Sequence, residues 1–342
     1  MESLQVQTRR RKLPRWLVPT VGYVLSFVCL IWVYKGYNFA EIWEHFRSLD
    51  WKWVILGVLA NLAVYVCQAW RWNTLLAPVE KLSLWESAQA IYIGLFASGV
   101  LFFRPGEIIR CYLVAHWNEL FFSLVLTSAA IERVMDGLWM LAASLFTAQV
   151  VSLPNSLIDA LKVFAVALMV LTALFLYILF HKTGAHSVMS GNRWGRKFVY
   201  VIEEIHQMGN WRTLSAAFGI SFLYLALEVI PVWALMKADG MDLSIWAAAA
   251  VLTIQRLGTL VPNAPGNVGS FQFFVVLALG MFGVEKATAV SLSVILFAAM
   301  TFPPLIIGAV AVALTGLKIG EIHHHAHHAH HGVKASRTQP RD

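Results

Sequence analysis

The chain consists of long apolar runs separated by short polar segments, and none of the polar segments is long enough to form a soluble domain. A helix needs about 20 mostly apolar residues to cross a bilayer. By that measure the sequence predicts six full spans, at residues 17–35, 52–70, 133–152, 160–180, 214–236 and 288–316. The predicted fold class is therefore an all-α polytopic membrane protein.

Residues 37–51 have a different pattern from the spans. Their apolar side chains recur at helical spacing among polar ones. This pattern is typical of a short amphipathic helix that lies in the membrane interface.

Two further apolar segments, 84–131 and 244–285, are each interrupted by a Pro-Gly pair. The pairs are Pro105-Gly106 and Pro265-Gly266. Proline and glycine stop a helix, and the backbone groups that they free are tolerated at membrane depth only inside protein or along a wet cavity. We therefore predict that each segment forms a broken or re-entrant helical hairpin.

Basic residues in the loops indicate which ends face the cytoplasm. The N-terminal arm, 1–16, carries five Lys/Arg and the segment 181–213 carries five more, whereas 153–159 carries none. We expect a multi-pass protein of the cytoplasmic (inner) membrane with both termini in the cytoplasm. In that arrangement the first hairpin enters from the cytoplasm and the second from the outside.

The two hairpins also resemble each other in sequence. "SLWESAQA" at 83–90 aligns with "SIWAAAAV" at 244–251, and the tryptophan of each precedes its Pro-Gly pair by 20 and 19 residues. We predict an inverted repeat, with units of about 83–152 and 244–316 inside a transmembrane domain of residues 17–317. Inverted repeats with broken helices are typical of transporters, whose site lies near the bilayer midplane. The alternative is that the short helices only complete a helical bundle.

Composition excludes several classes of protein. Of the 342 residues 58% are hydrophobic and 13% are charged, against about 25% charged in soluble domains. The net charge of +7 comes mainly from flanks and loops, where it indicates orientation and contact with anionic lipids rather than with nucleic acid. The three cysteines form no CxxC pair, so neither a disulfide framework nor a zinc site is expected.

Charged residues in the apolar part of the chain are the candidates for substrate binding, because each costs about 2.5–3.5 kcal/mol on insertion into a membrane. They are Arg104, Glu107, Arg110, Glu132, Arg133, Asp136 and Arg256. The planar guanidinium of arginine suits a lipid phosphate. The carboxylates could tune the arginines, accept a cationic headgroup or carry protons, and amides of the break at 264–269 could add donors. Alternatively, the charges form ion pairs with one another that only stabilise the fold, or their side chains extend to the membrane interface.

Catalysis and metal binding have little support in the sequence. It contains no Ser/His/Asp arrangement, no HExxH motif and no paired thiols, so we expect neither an enzyme nor a cofactor. An intramembrane enzyme using Glu107 or Asp136 is the less favoured alternative. The tail, 318–342, is expected to be a disordered cytoplasmic segment, and a His-rich tract of this kind binds metal ions only loosely. The residues concerned are His323, His324, His325, His327 and His328.

Three motifs carry a family resemblance across residues 15–317. "RPGEIIRCYLV", "ERVMDG" and Arg256 followed by "PNAPGNVGSFQ" resemble the flippase-like membrane family, the transmembrane region of lysylphosphatidylglycerol synthetases with YbhN-like and hopanoid-associated relatives. The resemblance adds Gln272 to the substrate-binding candidates and Pro262 and Gly269 to the residues that shape the second break.

This sequence departs from the family pattern at several positions. Asn267 and Gln272 replace a usual glycine and a usual glutamate, and Phe102 replaces a proline. The loss of the carboxylate at 272 argues against proton coupling or cation recognition at that point. The soluble aminoacyl-transfer domain of some members has no counterpart in these residues, so we expect no lipid aminoacylation.

The resemblance implies that the protein moves a lipid between leaflets or assists its movement. We expect a flippase-like lipid transporter whose partners are membrane lipids with polar, anionic or aminoacylated headgroups. The alternative is a non-transporting membrane partner of a separately encoded lipid-modifying enzyme or glycosyltransferase. A homo-oligomer is compatible with either interpretation.

Overall fold

The structure is a computed structural model that describes residues 17–35, 39–101, 105–150, 155–180, 210–259 and 263–315. These residues form eleven α-helices and no strand, which confirms the all-α prediction. The helices are α1 (Leu17–Tyr34), α2 (Phe39–Ser48), α3 (Trp51–Leu76), α4 (Leu84–Val100), α5 (Gly106–Trp117), α6 (Phe122–Val150), α7 (Asn155–Phe180), α8 (Trp211–Ala238), α9 (Ile245–Gly258), α10 (Ser270–Gly280) and α11 (Lys286–Thr315).

Three of the described helices, α3, α8 and α11, are long and apolar enough to cross a membrane. They contain the predicted spans 52–70, 214–236 and most of 288–316. The other three predicted spans lie largely in α1, α6 and α7, which have 18, 29 and 26 residues. The chain is thus a helical membrane protein.

The first interrupted segment ends earlier than the sequence predicts. Residues 122–131 do not belong to the hairpin but form the first turns of α6. The helix continues through Glu132 and Arg133 without a break, and both charges have ion-pair partners among the described residues. The first hairpin therefore consists of α4 and α5 alone.

Both predicted hairpins are present, and their helices are short. The helices α5, α9 and α10 have 12, 14 and 11 residues. At about 1.5 Å per residue, none of these three covers the roughly 30 Å hydrocarbon core by itself. The Pro-Gly pairs lie at the breaks, as predicted.

The first break brings α5 very close to α4. A Cβ atom on Gly106 would lie 1.9 Å from the carbonyl oxygen of Gly94 and 2.2 Å from Oγ of Ser98. The amide of Gly106 donates to that same Oγ at 3.2 Å. Only glycine can occupy position 106 without pushing the two helices apart.

The second break packs against α1. Its glycines Gly266 and Gly269 have φ values of 69° and 88°, a region that side chains disfavour. The amide of Ala264 donates to Oγ of Ser26 at 2.8 Å, and a Cβ on Gly269 would lie 2.3 Å from the Ser26 carbonyl oxygen. The break is therefore held by contacts with the first helix.

The amphipathic helix predicted at 37–51 is α2, and it docks at the end of α8. Nδ1 of His45 lies 3.2 Å from Oδ1 of Asp239, and the amide of Asp50 donates to the Ala238 carbonyl at 3.0 Å. Burial raises the pKa of Asp239 above its ordinary value, although the hydrogen bond with His45 opposes this. Trp43 and Phe46 stay exposed, as expected of a helix at the membrane interface.

The two halves of the chain make matching contacts between helices. The pairs α3–α4, α4–α5 and α5–α6 of the first half correspond to α8–α9, α9–α10 and α10–α11 of the second. The halves also exchange equivalent contacts, because α4 packs on α11 and α9 packs on α6. The repeat is therefore larger than the sequence predicts, since it includes α3 and α8.

The first helices of the two repeats, α3 and α8, pack side by side and run antiparallel. A Cβ atom on Gly57, near the start of α3, would lie 3.5 Å from Cβ of Ala234, near the end of α8. Arg71, near the end of α3, donates a hydrogen bond to Ser221 in the first half of α8. Both helices begin with a side-chain cap, in which Asp50 and Asn210 accept from the amide two residues later. This antiparallel relation is what an inverted repeat requires.

Candidate functional site

Charged side chains from α3, α5 and α6 meet beside the first break and form a closed ring of ion pairs. The ring contains three arginines and three carboxylates, so its charges cancel. We call it the arginine–carboxylate ring, and its members are Arg71, Glu107, Arg110, Glu132, Arg133 and Asp136.

Glu132 is the centre of the buried side of the ring. Its Oε1 accepts from Nε of Arg71 at 3.1 Å, and its Oε2 accepts from Nη2 of Arg110 at 2.9 Å. The side chains of Glu132 and Arg71 are fully buried and that of Arg110 is 3% exposed. Each oxygen of this one carboxylate therefore holds one arginine.

The rest of the ring leads to the surface. Arg71 also pairs with Asp136, whose Oδ2 lies 3.2 Å from Nη1 of Arg133. Arg133 in turn donates to Oε1 of Glu107 at 3.3 Å, and Oε2 of Glu107 accepts from Arg110 at 2.8 Å. Because the side chains of Arg133 and Glu107 are 51% and 53% exposed, this pair is the accessible edge of the ring.

Aromatic rings line the buried arginines. The guanidinium of Arg110 lies 4.6 Å from the centroid of Trp72, which is itself fixed by a 2.8 Å bond from Nε1 to Oγ of Ser128. The guanidinium of Arg71 lies 5.0 Å from the centroid of Tyr224 on α8. These cation–π contacts favour the charged form of each arginine in its apolar surroundings.

A second charged pair lies on the other side of Tyr224. Arg256 of α9 donates to Oε1 of Glu228 of α8, and the same guanidinium lies 3.5 Å from the hydroxyl of Tyr224. The side chain of Arg256 is 30% exposed and that of Glu228 is 9% exposed. Tyr224 thus connects the arginine–carboxylate ring at the first hairpin with the Arg256–Glu228 pair at the second.

The structure brings five of the predicted candidates together in the ring, namely Glu107, Arg110, Glu132, Arg133 and Asp136. It places Arg256 in the second pair. Gln272 makes a local contact instead, because its Oε1 accepts from the amide of Gly269 at 2.7 Å and so caps α10. Arg104, Pro262 and the tail histidines 323–328 lie outside the described residues, and their predicted roles stay predictions.

Several amides of the second break have partners within the protein. Besides Gly269, the amide of Ala264 donates to Ser26 and that of Asn267 donates to the Ala264 carbonyl at 3.0 Å. These three N–H groups are not available to a phosphate. The prediction that the break supplies donors is therefore limited to its other amides.

Sequence reasoning missed three residues of the site, Arg71, Tyr224 and Glu228. Arg71 follows the predicted end of the span 52–70 by one residue, where a charge is expected to reach the membrane interface. Glu228 lies inside the predicted span 214–236. The cost of a carboxylate at membrane depth, which identified the other candidates, should have identified Glu228 as well.

Fold and site together define a polytopic helical membrane protein with two broken hairpins and a charge-balanced polar network between them. The chain belongs to the lysylphosphatidylglycerol synthase TM region family, whose model matches residues 20–308. It is also similar to a UPF0104 membrane protein of Methanocaldococcus jannaschii, with 19% identity over an alignment of 317 residues that covers 86% of this chain and 94% of the relative. The family resemblance predicted from the motifs is confirmed.

Proposed function

We propose that this protein binds a polar-headed lipid, anionic or aminoacylated, and moves it between the leaflets of the inner membrane. The observation that carries the proposal is the polar path from the accessible edge of the arginine–carboxylate ring, through Tyr224, to the Arg256–Glu228 pair. Four arginines and four carboxylates along this path belong to both hairpins and to the helices between them. Charges at membrane depth are costly and commonly mark a substrate pathway.

The exposed groups at the two ends of the path suit a lipid headgroup. Arg133 and Arg256 are both partly exposed and both paired with a carboxylate. A lipid phosphate can replace that carboxylate, because both are anions that fit the guanidinium fork. At the ring edge, Glu107 would then be free to contact a cationic group of the same headgroup.

The ion pairing of the arginines with carboxylates also favours a second function, in which the polar path has a structural role. Every arginine of the path has a carboxylate partner in the described residues, as expected if the network only stabilises the fold. In that case the protein would be a non-transporting membrane partner of a separately encoded lipid-modifying enzyme. We propose no catalytic step for this chain.

A reconstitution experiment separates the two functions. Purified protein is placed in phosphatidylcholine vesicles that contain phosphatidylglycerol with a fluorescent headgroup, and dithionite then destroys the label in the outer leaflet. We expect the inner-leaflet label to become reducible in the presence of the protein and Arg256→Ala to slow this at least about tenfold, the loss expected from one charge-assisted contact. The matched control is Arg212→Ala, an exposed arginine at the start of α8.

The control variant should move lipid at the rate of the unchanged protein. Absence of lipid movement in every preparation, together with co-purification of a synthetase from native membranes, would support the partner function. Equal rates for Arg256→Ala and Arg212→Ala would show that the polar path does not carry the headgroup.

A further inference from the structure

Glu228 depends on Arg256 for its charge balance. Its Oε1 accepts from Nη2 of Arg256, and its Oε2 is buried without a hydrogen-bond partner among the described residues. The Tyr224 hydroxyl, on the same helix, lies 3.5 Å from Nη2 of Arg256. A hydroxyl, however, brings no positive charge, so Arg256 is the cation that compensates the carboxylate.

No other cation near Glu228 is available to replace Arg256 within the described residues. The groups that act on its charge are Arg256 from α9, Tyr224 from its own helix, Tyr65 and Arg71 from α3, and Asp136 from α6. Arg71 is already held by Glu132 and Asp136. Asp136 is itself an anion and adds to the cost of a second, unpaired negative charge.

The side chain of Arg256 is more accessible than the side chain of Glu228, with which it pairs. It is 30% exposed, against 9% for Glu228. An incoming phosphate can therefore reach the arginine, while the carboxylate that it displaces stays buried. A buried carboxylate that has lost its partner costs several kcal/mol, and a buried acid avoids that cost by binding a proton.

We propose that Arg256 and Glu228 couple lipid binding to proton uptake. When the phosphate of an anionic lipid takes the guanidinium of Arg256, Glu228 binds one proton from the solvent, and when the phosphate leaves, the pair re-forms and the proton is released. This step rests on the proposed function, because it identifies the lipid as anionic and makes the proton its co-substrate. The phosphate and the proton then cross the membrane without net charge.

The first repeat has an amide, not a carboxylate, at the position that corresponds to Glu228, so the proposed proton step belongs to the second repeat. Gln68 and Glu228 each lie 18 residues after the N-cap of their helix, Asp50 and Asn210. Gln68 is also buried, but it is an amide that cannot take up a proton in this way. The substitution Glu228→Gln therefore gives the second repeat the residue that the first repeat already has.

Calorimetry in detergent counts the protons directly. Short-chain phosphatidylglycerol is titrated into the full chain at pH 7.5 in two buffers of different ionisation enthalpy, so that the difference in heat gives the protons taken up per lipid bound. We expect about one proton per lipid, and an affinity that falls by up to about tenfold per pH unit above that pH. Glu228→Gln should bind lipid with no proton uptake and with an affinity that does not change with pH.

The control variant is Asp159→Asn, which removes an exposed carboxylate paired with Lys162 on α7, a helix that contributes no residue to the polar path; it should keep the proton uptake of the unchanged protein. Lipid binding by the unchanged protein without proton uptake would overturn the proposal, whether or not Glu228→Gln folds. Proton uptake that persists in a folded Glu228→Gln variant would also overturn it.

Vesicle transport at pH 6 and pH 8 distinguishes failure of this inference from failure of the proposed function. Lipid movement that is faster at pH 6 in the unchanged protein and equal at both values in Glu228→Gln supports the proton step. Lipid movement that is independent of pH in the unchanged protein overturns the proton step and leaves the transport function standing. Absence of lipid movement at both values overturns both.

Discussion

At the scale of single residues, Glu132 determines how the buried charges are arranged. One fully buried carboxylate holds Arg71 with one oxygen and Arg110 with the other, and the two arginines come from different helices. Such an arrangement adds little stability compared with apolar packing, because both partners lose their water. Its removal is costly all the same, since the charges that remain are still buried.

We predict that Glu132→Gln destabilises the protein by about 3–5 kcal/mol, the usual cost of removing one partner from a buried pair. The amide keeps the shape of the side chain but leaves the positive charges of Arg71 and Arg110 undercompensated. Denaturant unfolding of the purified protein in detergent measures the change. Asp159→Asn, which breaks an exposed pair, should cost about 0–1 kcal/mol, and equal losses in the two variants would contradict the central role of Glu132.

At the scale of helices, the hairpins depend on close backbone approach rather than on length. The helices α5, α9 and α10 are too short to cross the membrane alone, so each must be held by its neighbours. In membranes, small residues at helix contacts provide this packing. Gly106 is the clearest case, because its α carbon faces the backbone of α4.

Gly106→Ala should therefore separate α4 from α5. The added methyl group would lie 1.9 Å from the Gly94 carbonyl oxygen, and overpacking costs about 1–3 kcal/mol even where side chains can move. We expect a lower melting temperature in detergent than for the unchanged protein.

Gly219→Ala is the matched control, because nothing lies within 4 Å of a Cβ at that position of α8. Alanine favours a helix over glycine by about 0.5–1 kcal/mol, so this variant should melt at the same or a higher temperature. If Gly106→Ala and Gly219→Ala had the same melting temperature, α4 and α5 would not be in close contact.

The sequence was sufficient to predict these helices because their signals are local. Apolar runs predicted the spans and Pro-Gly pairs predicted the breaks. The two serines that align in sequence, Ser83 and Ser244, are the N-cap residues of α4 and α9. The end of the first interrupted segment was predicted wrongly, at residue 131, whereas the next helix, α6, already begins at residue 122. A charged pair inside an apolar run looks like an interruption unless its partners are known.

The pairing of the charges could not be predicted because it is a tertiary property. Arg71 and Glu132 are 61 residues apart, and Arg256 and Glu228 are 28 apart. Glu107 and Arg110 are three residues apart on one helix, so their contact is local, but no spacing along the chain shows that Glu132 joins two arginines. The cap made by Gln272 is local but was not predicted, because the family pattern marks position 272 for its missing carboxylate and not for a backbone contact.

At the scale of the whole molecule, the two repeats are joined by exchange of their helices. The hairpin helix α4 packs on α11 of the other repeat, and α9 packs on α6. The arginine–carboxylate ring lies in the first repeat and the Arg256–Glu228 pair in the second, and Tyr224 contacts both. A motion of one repeat against the other would therefore act directly on the polar path.

In transporters built from inverted repeats, such a motion opens the site to one leaflet and then to the other. The antiparallel contact of α3 with α8 predicts that the loops after these helices face opposite sides. Glu80 and Asp242 are exposed residues of those two loops. With the basic loops in the cytoplasm, position 80 should face the cytoplasm and position 242 the outside.

Single cysteines at these positions test the arrangement. In a chain whose buried Cys29, Cys67 and Cys111 are replaced by alanine, Glu80→Cys should react with a membrane-impermeant maleimide only in inside-out vesicles. Asp242→Cys should react in intact cells. Labelling of both from the same side would mean that the repeats are not inverted and would contradict the antiparallel arrangement of α3 and α8.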